Sequence, residues 1–347
     1  MKLAVIEGDG IGREVIPAAV CVLDAFCEKF GWTIEKVKID VGYGKWEKIG
    51  EAITDEDIRL MKACDAVLFG AVTTVNDPSY KSVVLRMRKE LDLFANIRPV
   101  KPLRGIYDMC GIRDRKEEAV DMIIVRENTE GLYSGLEEIG DAESRTTRIV
   151  TKAAAERIAA AAGALASERR GIVTIVHKSN VIKSDKLFVD TCQKTLAEKY
   201  PDVVSNLMLV DACAYDIIMH PEKYDVIVTT NLFGDILSDL AAVHLGSIGL
   251  APSANLGERY ALFEPVHGSA PDIAGQGIAD PFAAIRCLGM MFERMDKEGV
   301  SGAAEAAALL TDAMEAAIFE KNVTPDLGGE LSTADAASWI ADYVKKH

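Results

Sequence analysis

The sequence predicts an α/β protein in which helices cover a largely parallel sheet. Short apolar runs of strand length alternate along the 347-residue chain with longer segments whose apolar residues recur at helical spacing. Glycine, asparagine and aspartate residues separate the two kinds of segment. Because strands joined through helices run parallel and need cover on both faces, this alternation favours a helix-covered sheet.

The pattern defines the elements in chain order. Strand-like runs lie at residues 3–6, 34–41, 66–70, 93–99, 121–126, 172–176, 206–210, 224–230 and 261–263. Helical spacing covers residues 14–29, 54–64, 82–91, 151–167, 185–200, 281–295, 302–321 and 334–346. Thr54 is expected to cap the second of these helices, with Asp57 at its third position. Asn76-Asp-Pro78 indicates an irregular loop, and the polar, glycine-rich residues 127–149 predict a projecting hairpin.

Composition limits the function. The chain is 49% hydrophobic and 27% charged, with a net charge of -15 at pH 7. This composition is typical of a soluble globular protein and opposes binding to nucleic acid or to an anionic membrane. Seven cysteines without a Cys-x-x-Cys pair indicate reduced thiols and a cytosolic protein. Residues 1–6 lack a signal-peptide layout, and no apolar run reaches membrane-spanning length.

An acidic pair follows the strand-like run 224–230. Asn231 and Gly234 predict a turn, after which a helix opens with Asp235 and Asp239 four residues apart on one face. Two like charges there need a positive partner, and a hard divalent cation takes carboxylate oxygens of this kind. The alternative is a first-turn acid stabilised by the helix dipole, and the pair by itself favours that alternative.

A glycine turn, Gly8-Asp-Gly-Ile-Gly12, joins the first strand to the first helix. Its glycines stand at i, i+2 and i+4, whereas the Rossmann fingerprint for dinucleotides needs i, i+2 and i+5. The spacing therefore argues against a Rossmann site. We still expect amides of this strand-to-helix turn to face a ligand.

Several side chains are placed to bind anions or to move protons. Arg88, Arg98 and Arg126 suit the capture of carboxylate or phosphate, with a surface ion pair as the alternative for each. Lys178, which ends a buried strand beside acids, is a candidate base, and Tyr133 is a candidate proton donor. Simple solvation of the lysine and packing of the tyrosine are the alternatives.

The loop His267-Gly-Ser-Ala-Pro-Asp272 combines small residues with one acid. Small residues let a flat ligand lie against the backbone, and an acid can bind a ribose diol. An ordinary turn with a helix-capping aspartate is the alternative. None of the five histidines forms a pair with metal-ligand spacing, so zinc is not expected.

Taken together, these segments resemble the metal-dependent β-decarboxylating dehydrogenases, the family of 3-isopropylmalate, isocitrate, homoisocitrate and tartrate/malate dehydrogenases. The matching motifs span nearly the whole chain: V-I-E-G-D-G-I-G (5–12), L-R-M-R-K-E-L-D-L-F-A-N-I-R-P (85–99), V-R-E-N-T-E-G-L-Y (125–133), H-K-S-N-V (177–181), V-D-A (210–212), T-N-L-F-G-D-I-L-S-D (230–239), L-A-P-S-A-N-L-G (250–257), L-F-E-P-V-H-G-S-A-P-D-I-A-G (262–275) and T-P-D-L-G-G (324–329). So many motifs in this order are specific for the family and much less specific for the substrate.

The resemblance implies an isopropylmalate dehydrogenase-like fold of two α/β domains that share a mixed, mostly parallel sheet, distinct from the Rossmann fold. Residues 1–98 and 245–347 would form a discontinuous cofactor-binding domain, and residues 99–244 a central substrate and dimerisation domain. Residues 127–149 fall where the family carries an arm that clasps a second subunit. The implied assembly is a homodimer with shared active sites that acts on a small molecule.

The resemblance also implies roles for the charged residues. Malate carboxylates would be bound by arginines, with an asparagine nearby: Arg88, Arg98, Arg126 and Asn180. Mg²⁺ or Mn²⁺ would be held by three acids: Asp211, Asp235 and Asp239. Lys178 would help deprotonate the C2 hydroxyl, and Tyr133 would protonate the enolate carbon. Lys178 and Asp211 would reach the site from the partner subunit.

On the cofactor side, the resemblance implies NAD. The expected contacts are Ile11, His267, Gly268, Ser269, Ala270, Asp272, Ile273 and Asp280. Asp272-Ile273 matches the NAD-type pattern, in which the acid takes the ribose diol, whereas NADP-type members have Lys-Tyr there. A 2′-phosphate beside Asp272 would be repelled. Asp280 departs from the many members that place an adenine-contacting asparagine there, and this departure bears on adenine affinity.

Substrate specificity in the family is read by positions 81, 84 and 85, which helical spacing would place on the face of Arg88. Val84 and Leu85 are apolar and favour an alkyl group, as in 3-isopropylmalate, whose conversion to 2-oxoisocaproate belongs to leucine biosynthesis. Lys81 would suit a γ-carboxylate, and archaeal homologues that take homoisocitrate are similar in carrying Tyr-Lys-Ser here. We expect 3-isopropylmalate, with homoisocitrate and isocitrate as alternatives.

Two further classes are alternatives to an enzyme of this kind. A non-catalytic regulatory or binding subunit on the same fold predicts loss of a metal acid, the lysine or the tyrosine, and none is lost. A metal phosphohydrolase built on Asp235 and Asp239 would lack a phosphate-loop lysine.

Overall fold

A single mixed sheet runs through the molecule. The computed structural model describes residues 1–77, 79–110 and 116–347. The strands in this described part are β1 (Lys2–Gly8), β2 (Glu35–Lys38), β3 (Ala66–Ala71), β4 (Ala95–Val100), β5 (Met122–Glu127), β6 (Glu137–Ile139), β7 (Ser144–Thr146), β8 (Ile172–His177), β9 (Val204–Leu209), β10 (Val226–Thr229), β11 (Pro252–Leu256) and β12 (Ala261–Pro265). Ten of them form one sheet in the order β2-β1-β3-β12-β11-β4-β5-β10-β8-β9, and β6 pairs with β7 separately.

The sheet consists of two parallel sets joined by antiparallel contacts. β2, β1, β3 and β12 run parallel to one another, and so do β5, β10, β8 and β9. β11 is antiparallel to β12 and β4, and β4 is antiparallel to β5. The predicted mixed, mostly parallel sheet is therefore confirmed. The predicted domain boundaries near residues 98 and 245 stay a prediction.

Helices cover both faces of this sheet. Their bounds are α1 (Gly12–Phe30), α2 (Tyr43–Ile49), α3 (Asp55–Lys62), α4 (Val83–Glu90), α5 (Ile106–Cys110), α6 (Lys152–Ser167), α7 (Asp185–Lys199), α8 (Val210–Met219), α9 (Asn231–Ala241), α10 (Phe282–Lys297), α11 (Ala303–Phe319) and α12 (Thr333–Lys346). Leu3 and Val5 of β1 pack into one apolar cluster, and the alternate residues Ala4 and Ile6 pack into another. Both faces of β1 are thus buried, which explains its continuous apolar run.

The helix that carries the acidic pair begins earlier than predicted. α9 starts at Asn231, so Asn231 and Gly234 are helical and the predicted turn is wrong. A Cβ atom on Gly234 would lie 2.7 Å from Cβ of Arg126. Gly234 therefore allows α9 to pack closely on β5. A glycine is needed at this position for packing, and it does not mark a turn.

Four short elements were not predicted: α2, α5, α8 and β11. α8 follows β9 directly, so Val210 is helical instead of ending a strand, and Asp211 lies in the first turn of a helix. β11 lies inside the glycine-rich stretch 246–257, where periodicity was weak. The strand predicted over 34–41 is shortened to β2.

Other local predictions hold. Thr54 caps α3 in a capping box with Asp57. β6 and β7 form the predicted hairpin, and the pairing of Gly131 with Ile149 closes its base. Pro78 lies outside the described residues. All seven cysteines, each within the described ranges, are free thiols. Within those ranges, no helix has the length and apolar character needed to cross a membrane.

Candidate active site

Two neighbouring antiparallel strands bring buried polar side chains to one place at the centre of the sheet. In the β4–β5 register, Asn96 stands opposite Arg126, and Arg98 lies two residues further along β4. Side chains two residues apart share one face of a strand, so these groups emerge together. Arg98 Nε donates to Asn96 Oδ1 at 2.8 Å. Arg126 is 1% exposed, which makes it the most deeply buried cation of the group.

α9 supplies acids to these arginines. Arg126 Nη1 donates to Asp235 Oδ1, while its Nε and Nη2 donate to Asn231 Oδ1 at 3.1 and 2.7 Å. Arg98 Nη2 lies 3.4 Å from Asp235 Oδ1. The Tyr133 hydroxyl donates to Asp235 Oδ2 at 3.0 Å. One carboxylate thus contacts two guanidinium groups and a phenol.

Asp239 lies one turn further along α9. Arg98 Nη1 donates to Asp239 Oδ1 at 3.2 Å and to Ser238 Oγ at 2.6 Å. Arg98 therefore stands between Asp235 and Asp239 and supplies the positive partner that such a pair needs. Burial, reinforced by the charge of Asp235, still raises the pKa of Asp239 above its usual value, although Arg98 opposes the shift.

Burial also sets the protonation of the surrounding donors. It lowers the pKa of Arg98, and it lowers the pKa of Arg126 to about 10 with help from the neighbouring charges of Arg88 and Arg98. Both guanidinium groups stay cationic at neutral pH. Burial and the charge of Asp235 raise the pKa of Tyr133. The phenol therefore keeps its proton and can donate it.

Arg88, on α4, approaches the cluster from the side of β12. It is 8% exposed, and its Nη2 donates to Glu264 Oε1 on β12 at 3.3 Å. The same oxygen accepts from Asn255 Nδ2 at 2.7 Å. Among the described residues, buried Nε of Arg88 has no hydrogen-bond partner. An unmet buried donor costs about 1–3 kcal/mol, so an acceptor supplied by a ligand would be stabilising here.

Lys178 and Asp211 lie apart from this cluster. Lys178 follows β8, Asp211 opens α8, and Lys178 Nζ donates to Asp211 Oδ1. This contact lowers the pKa of Asp211. Within the described part of the chain, no three His, Cys, Asp or Glu side chains are arranged to hold a metal ion. The structure therefore brings Asp235 and Asp239 together, and one chain does not add Asp211 to them.

The predicted cofactor loop is tied to the glycine turn after β1. The Ile11 N–H donates to the Ser269 carbonyl oxygen at 2.9 Å, and Thr73 Oγ1 donates to Ser269 Oγ at 2.9 Å. A Cβ atom on Gly10 would lie 1.9 Å from that carbonyl oxygen, and φ of Gly10 is +56°, so only glycine fits. The expectation that amides of this turn face a ligand is therefore wrong for Ile11. Ala270 follows with a φ of +37°.

Two acids without a predicted role organise the same region. Asp9 is 5% exposed. Its carboxylate accepts three backbone N–H groups, those of Tyr43, Gly44 and Thr73. Glu14 accepts the N–H groups of Gly275 and Gly277 at 2.6 and 2.8 Å. The spacing of the sequence contains no sign of these contacts, because each joins segments far apart in the chain.

Unpartnered buried atoms occur at two of the residues predicted to contact the cofactor. Among the described residues, His267 Nε2 and Asp280 Oδ2 are buried without a hydrogen-bond partner. Burial lowers the pKa of His267. Burial and the charge of Asp326 raise the pKa of Asp280 well above its usual value, while Asp280 Oδ1 accepts the Phe282 N–H at 2.9 Å. A carboxyl group that takes up a proton there presents a donor as well as an acceptor, and an asparagine amide also presents both kinds of group. Of the other predicted contacts, Gly268 and Asp272 are exposed and Ile273 is half-buried.

The residues predicted to read the substrate differ in their placement. Ser82 caps α4 by accepting the Leu85 N–H at 3.3 Å, so Lys81 precedes the helix and helical spacing does not place it on the face of Arg88. Val84 is half-buried against an apolar cluster, whereas Leu85 is 38% exposed. Lys81 and Asn180 are exposed.

Comparison with known proteins agrees with this fold. The family model described as isocitrate/isopropylmalate dehydrogenase matches residues 2–342. Homoisocitrate dehydrogenase of Methanocaldococcus jannaschii is 42% identical, covering 100% of this chain and 98% of that protein. The 3-isopropylmalate/3-methylmalate dehydrogenase of the same organism is 44% identical, covering 99% of each. The crystal structure of isocitrate dehydrogenase from Methylococcus capsulatus has 38% identity and a TM-score of 0.89, covering 99% of each chain.

Buried arginines that lie beside the acids of α9 and a phenol have the chemistry that suits the binding of small acids. The chain belongs to the isocitrate/isopropylmalate dehydrogenase family of oxidative β-decarboxylating enzymes. The resemblance predicted from the motifs is confirmed. The three similar proteins carry different substrate names, so family membership does not decide the substrate.

Proposed function

We propose that this protein oxidises and decarboxylates a 3-substituted malate with NAD, and that 3-isopropylmalate is its preferred substrate. The observation that carries the proposal is the convergence of buried Arg98 and Arg126 beside Tyr133 and Asp235. Fixed cations in a site that excludes water bind carboxylates strongly. The unpartnered Nε of Arg88 adds a further donor for a substrate oxygen.

The acids of α9 fit a divalent cation. Asp235 and Asp239 offer hard carboxylate oxygens one turn apart, which is the donor chemistry that Mg²⁺ and Mn²⁺ prefer. Their charge is balanced in this structure by Arg98 and Arg126. Asp211 from a second copy would supply the third acid. When bound, the ion polarises the C2 oxygen of the substrate and NAD accepts the hydride.

Lys178 and Tyr133 divide the proton transfers. Lys178 Nζ would take the proton of the C2 hydroxyl as the carbonyl forms. After the C3 carboxylate leaves as CO₂, the Tyr133 hydroxyl would return one proton to C3. The burial that raises the pKa of Tyr133 supports this role, because the phenol is protonated when the carbanion equivalent forms.

An exposed apolar face on α8 and α9 supports the proposal of a homodimer. The two helices share large apolar side chains that are between 38% and 68% exposed: Tyr215, Met219, Ile236 and Leu240. Cys213, Ile217 and Leu237 of the same helices are buried on the other side. A contiguous exposed apolar face marks an interaction surface. A second copy on this face would cover it and would bring Asp211 towards the acids of α9.

The choice of NAD over NADP is supported by Asp272. Its side chain is exposed on the loop that joins β12 to α10. A carboxylate there accepts both hydroxyls of a ribose and repels a 2′-phosphate.

The substrate's side group is supported by α4. Leu85 exposes its apolar side chain one turn before Arg88, which suits an alkyl group. The second candidate is a tricarboxylate, homoisocitrate or isocitrate, and the exposed cation of Lys81 beside the same helix favours it. A pocket that binds an alkyl group lowers kcat/KM by about 10–200-fold for each methylene contact that a competing substrate lacks.

The test is a comparison of kcat/KM for NAD reduction with 3-isopropylmalate, homoisocitrate, isocitrate and D-malate under Mg²⁺. We expect 3-isopropylmalate to be fastest, and Leu85→Ser to lower that value about tenfold or more. Lys81→Met is the matched variant, and we expect it to leave 3-isopropylmalate turnover unchanged. A large preference for a tricarboxylate that Lys81→Met removes would establish the second candidate instead. Binding of Mn²⁺ and NAD without turnover of any of these acids would indicate a non-catalytic subunit.

A further inference from the structure

One guanidinium at the base of the arm touches both halves of the candidate machinery. Arg148 precedes Ile149, whose pairing with Gly131 closes the arm. Its side chain is only 14% exposed. The sequence motifs assigned it no role.

On one side, Arg148 holds the segment that carries the lysine. Its Nη1 lies 2.6 Å from Asp185 Oδ1, and Asp185 is completely buried at the start of α7. Asp185 Oδ2 accepts the backbone N–H of Lys178 at 2.7 Å. A buried carboxylate is costly unless a cation and hydrogen bonds compensate it. Here the cation is Arg148 and the hydrogen bond comes from the amide of the candidate base, whereas Asp185 Oδ1 accepts no hydrogen bond among the described residues.

On the other side, Arg148 holds the start of the acidic helix. Its Nη2 donates to Thr230 Oγ1 at 3.2 Å, at the residue that precedes α9. Its guanidinium carbon lies 5.7 Å from the centre of the Phe233 ring, in the first turn of α9. Phe233 stands two residues before Asp235. The rigid fork of the guanidinium therefore fixes the Lys178 segment against α9.

We propose that Arg148 and Asp185 are positioning residues that set Lys178 relative to α9. The inference rests on the proposed function, in which Lys178 moves a proton. In the proposed dimer, Lys178 serves the partner's site while α9 serves the site of its own chain. Arg148 then joins the geometry of two active sites through a single side chain. Arg148 also connects both active sites to the base of the arm, which a second subunit would contact.

A purely structural ion pair is the alternative, and the chain offers a matched control. Arg157 Nη1 lies 2.7 Å from Asp92 Oδ2, and its guanidinium carbon lies 4.6 Å from the centre of the Phe94 ring. This arginine thus makes the same two kinds of contact, to a carboxylate and an aromatic ring. It lies on α6 and touches neither Lys178 nor α9 in the described contacts.

The experiment uses the double variant Arg148→Gln/Asp185→Asn in the full-length protein. Removing both charges avoids leaving one of them buried and uncompensated, so the double variant is expected to fold. We expect its kcat to fall about 10–100-fold while KM for the malate changes less than about twofold. Arg148→Lys keeps the positive charge but lacks the two-pronged guanidinium group. We expect its kcat to lie between that of the double variant and that of the wild-type protein. Arg157→Gln should keep the wild-type kcat.

Wild-type kcat in the double variant would overturn the inference, and so would an equal loss in Arg157→Gln. A second measurement needs no substrate. Exchange of the Lys178 amide hydrogen should quicken about tenfold in the double variant, because a neutral acceptor without the fork of Arg148 binds that amide less firmly. Unchanged exchange would count against the inference. If the wild-type protein turned over no malate at all, the proposed function would fail, and the exchange result would still decide the positioning role.

Discussion

The residues predicted to carry out the chemistry occupy two regions that differ in how complete they are. Around Asp235, side chains from β4, β5 and α9 meet in contacts that one chain provides by itself. The Lys178–Asp211 pair lies towards the open edge of the sheet, beside the edge strand β9, and Asp211 has a side chain that is 64% exposed. The first region balances its charges within one chain, whereas the second ends at solvent.

The difference shows what one chain can build. Arg98 and Arg126 are charged and buried because acids and amides of the same chain surround them. The side chains of Lys178 and Asp211 pair only with each other in the described contacts. Both regions border α8 and α9, whose apolar side chains lack cover. A second copy would therefore complete the exposed region and cover the apolar face at once.

The largest expected effect is that of Asp235→Asn, which tests the region around Asp235. We expect kcat to fall about 10³-fold, because a cation site and the partner of Arg126 are weakened together. The fold should remain, since the isosteric amide still accepts from Arg126. Asp190→Asn, which changes an exposed acid paired with Lys186, is the control. Retained Mg²⁺-dependent turnover in Asp235→Asn would remove the metal assignment.

Lys178→Met tests the exposed region, and a mixture of variants tests whether the two regions act across chains. We expect Lys178→Met to block both oxidation and decarboxylation; a merely raised KM would argue against a base. Equal amounts of inactive Asp235→Asn and Lys178→Met, allowed to exchange subunits, should recover about a quarter of wild-type activity, because half the dimers are hybrid with one intact site each. No recovery would indicate that each site belongs to one chain.

The uncovered face itself is tested by Ile236→Glu. Ile236 is 51% exposed on α9, and an unpaired charge there should raise the dimer dissociation constant about 10–100-fold. Sedimentation and the dependence of activity on protein concentration measure this. Phe319→Glu is the control, because Phe319 is 65% exposed on α11, away from this face. An unchanged association state would show that the apolar face is not the contact.

The smallest expected effect is a difference in folding stability between two variants, Asp239→Asn and Asp211→Asn, measured with a chelator present. Burial raises the pKa of Asp239 in the folded chain, so wild-type stability falls relative to Asp239→Asn as pH rises above about 4. Lys178 lowers the pKa of Asp211, so Asp211→Asn should be the less stable protein above that pH, and the gap should close on acidification.

At pH 7 the two variants should therefore shift the melting temperature in opposite directions, and both shifts should be small because each side chain is more than half exposed. Thermal unfolding between about pH 2 and pH 8 checks these signs and the closing of the gap on acidification. Shifts of the same sign would mean that the two acids do not differ as the structure indicates.

Local patterns predicted much of the fold. Thr54 and Asp57 gave the start of α3, and the alternation of elements gave the parallel sets of strands. Gly234 misled the prediction of α9, because its role is close contact with Arg126, a residue more than one hundred positions away. β11 was missed since its pairing with β4 and β12 depends on neighbours that the local pattern does not contain.

The candidate site divides in the same way. Its motifs predicted the arginines, acids, lysine and tyrosine, because these residue types and their order are specific to the family. The motifs held no sign of Asp9, Glu14 or Asp185, whose carboxylates act on backbone amides that folding brings close. Such contacts produce no recognisable pattern of residue spacing in the sequence.

The sequence by itself determined the family, the mixed α/β architecture and the identity of the charged residues, because local periodicity and motif order encode them. Only the tertiary structure decided that Arg98 lies between Asp235 and Asp239, that Lys178 and Asp211 stay apart from them, and that Arg148 joins the two regions. The reason is physical: charge balance and burial depend on distances through space, and those distances are set by the packing of β4, β5, α8 and α9.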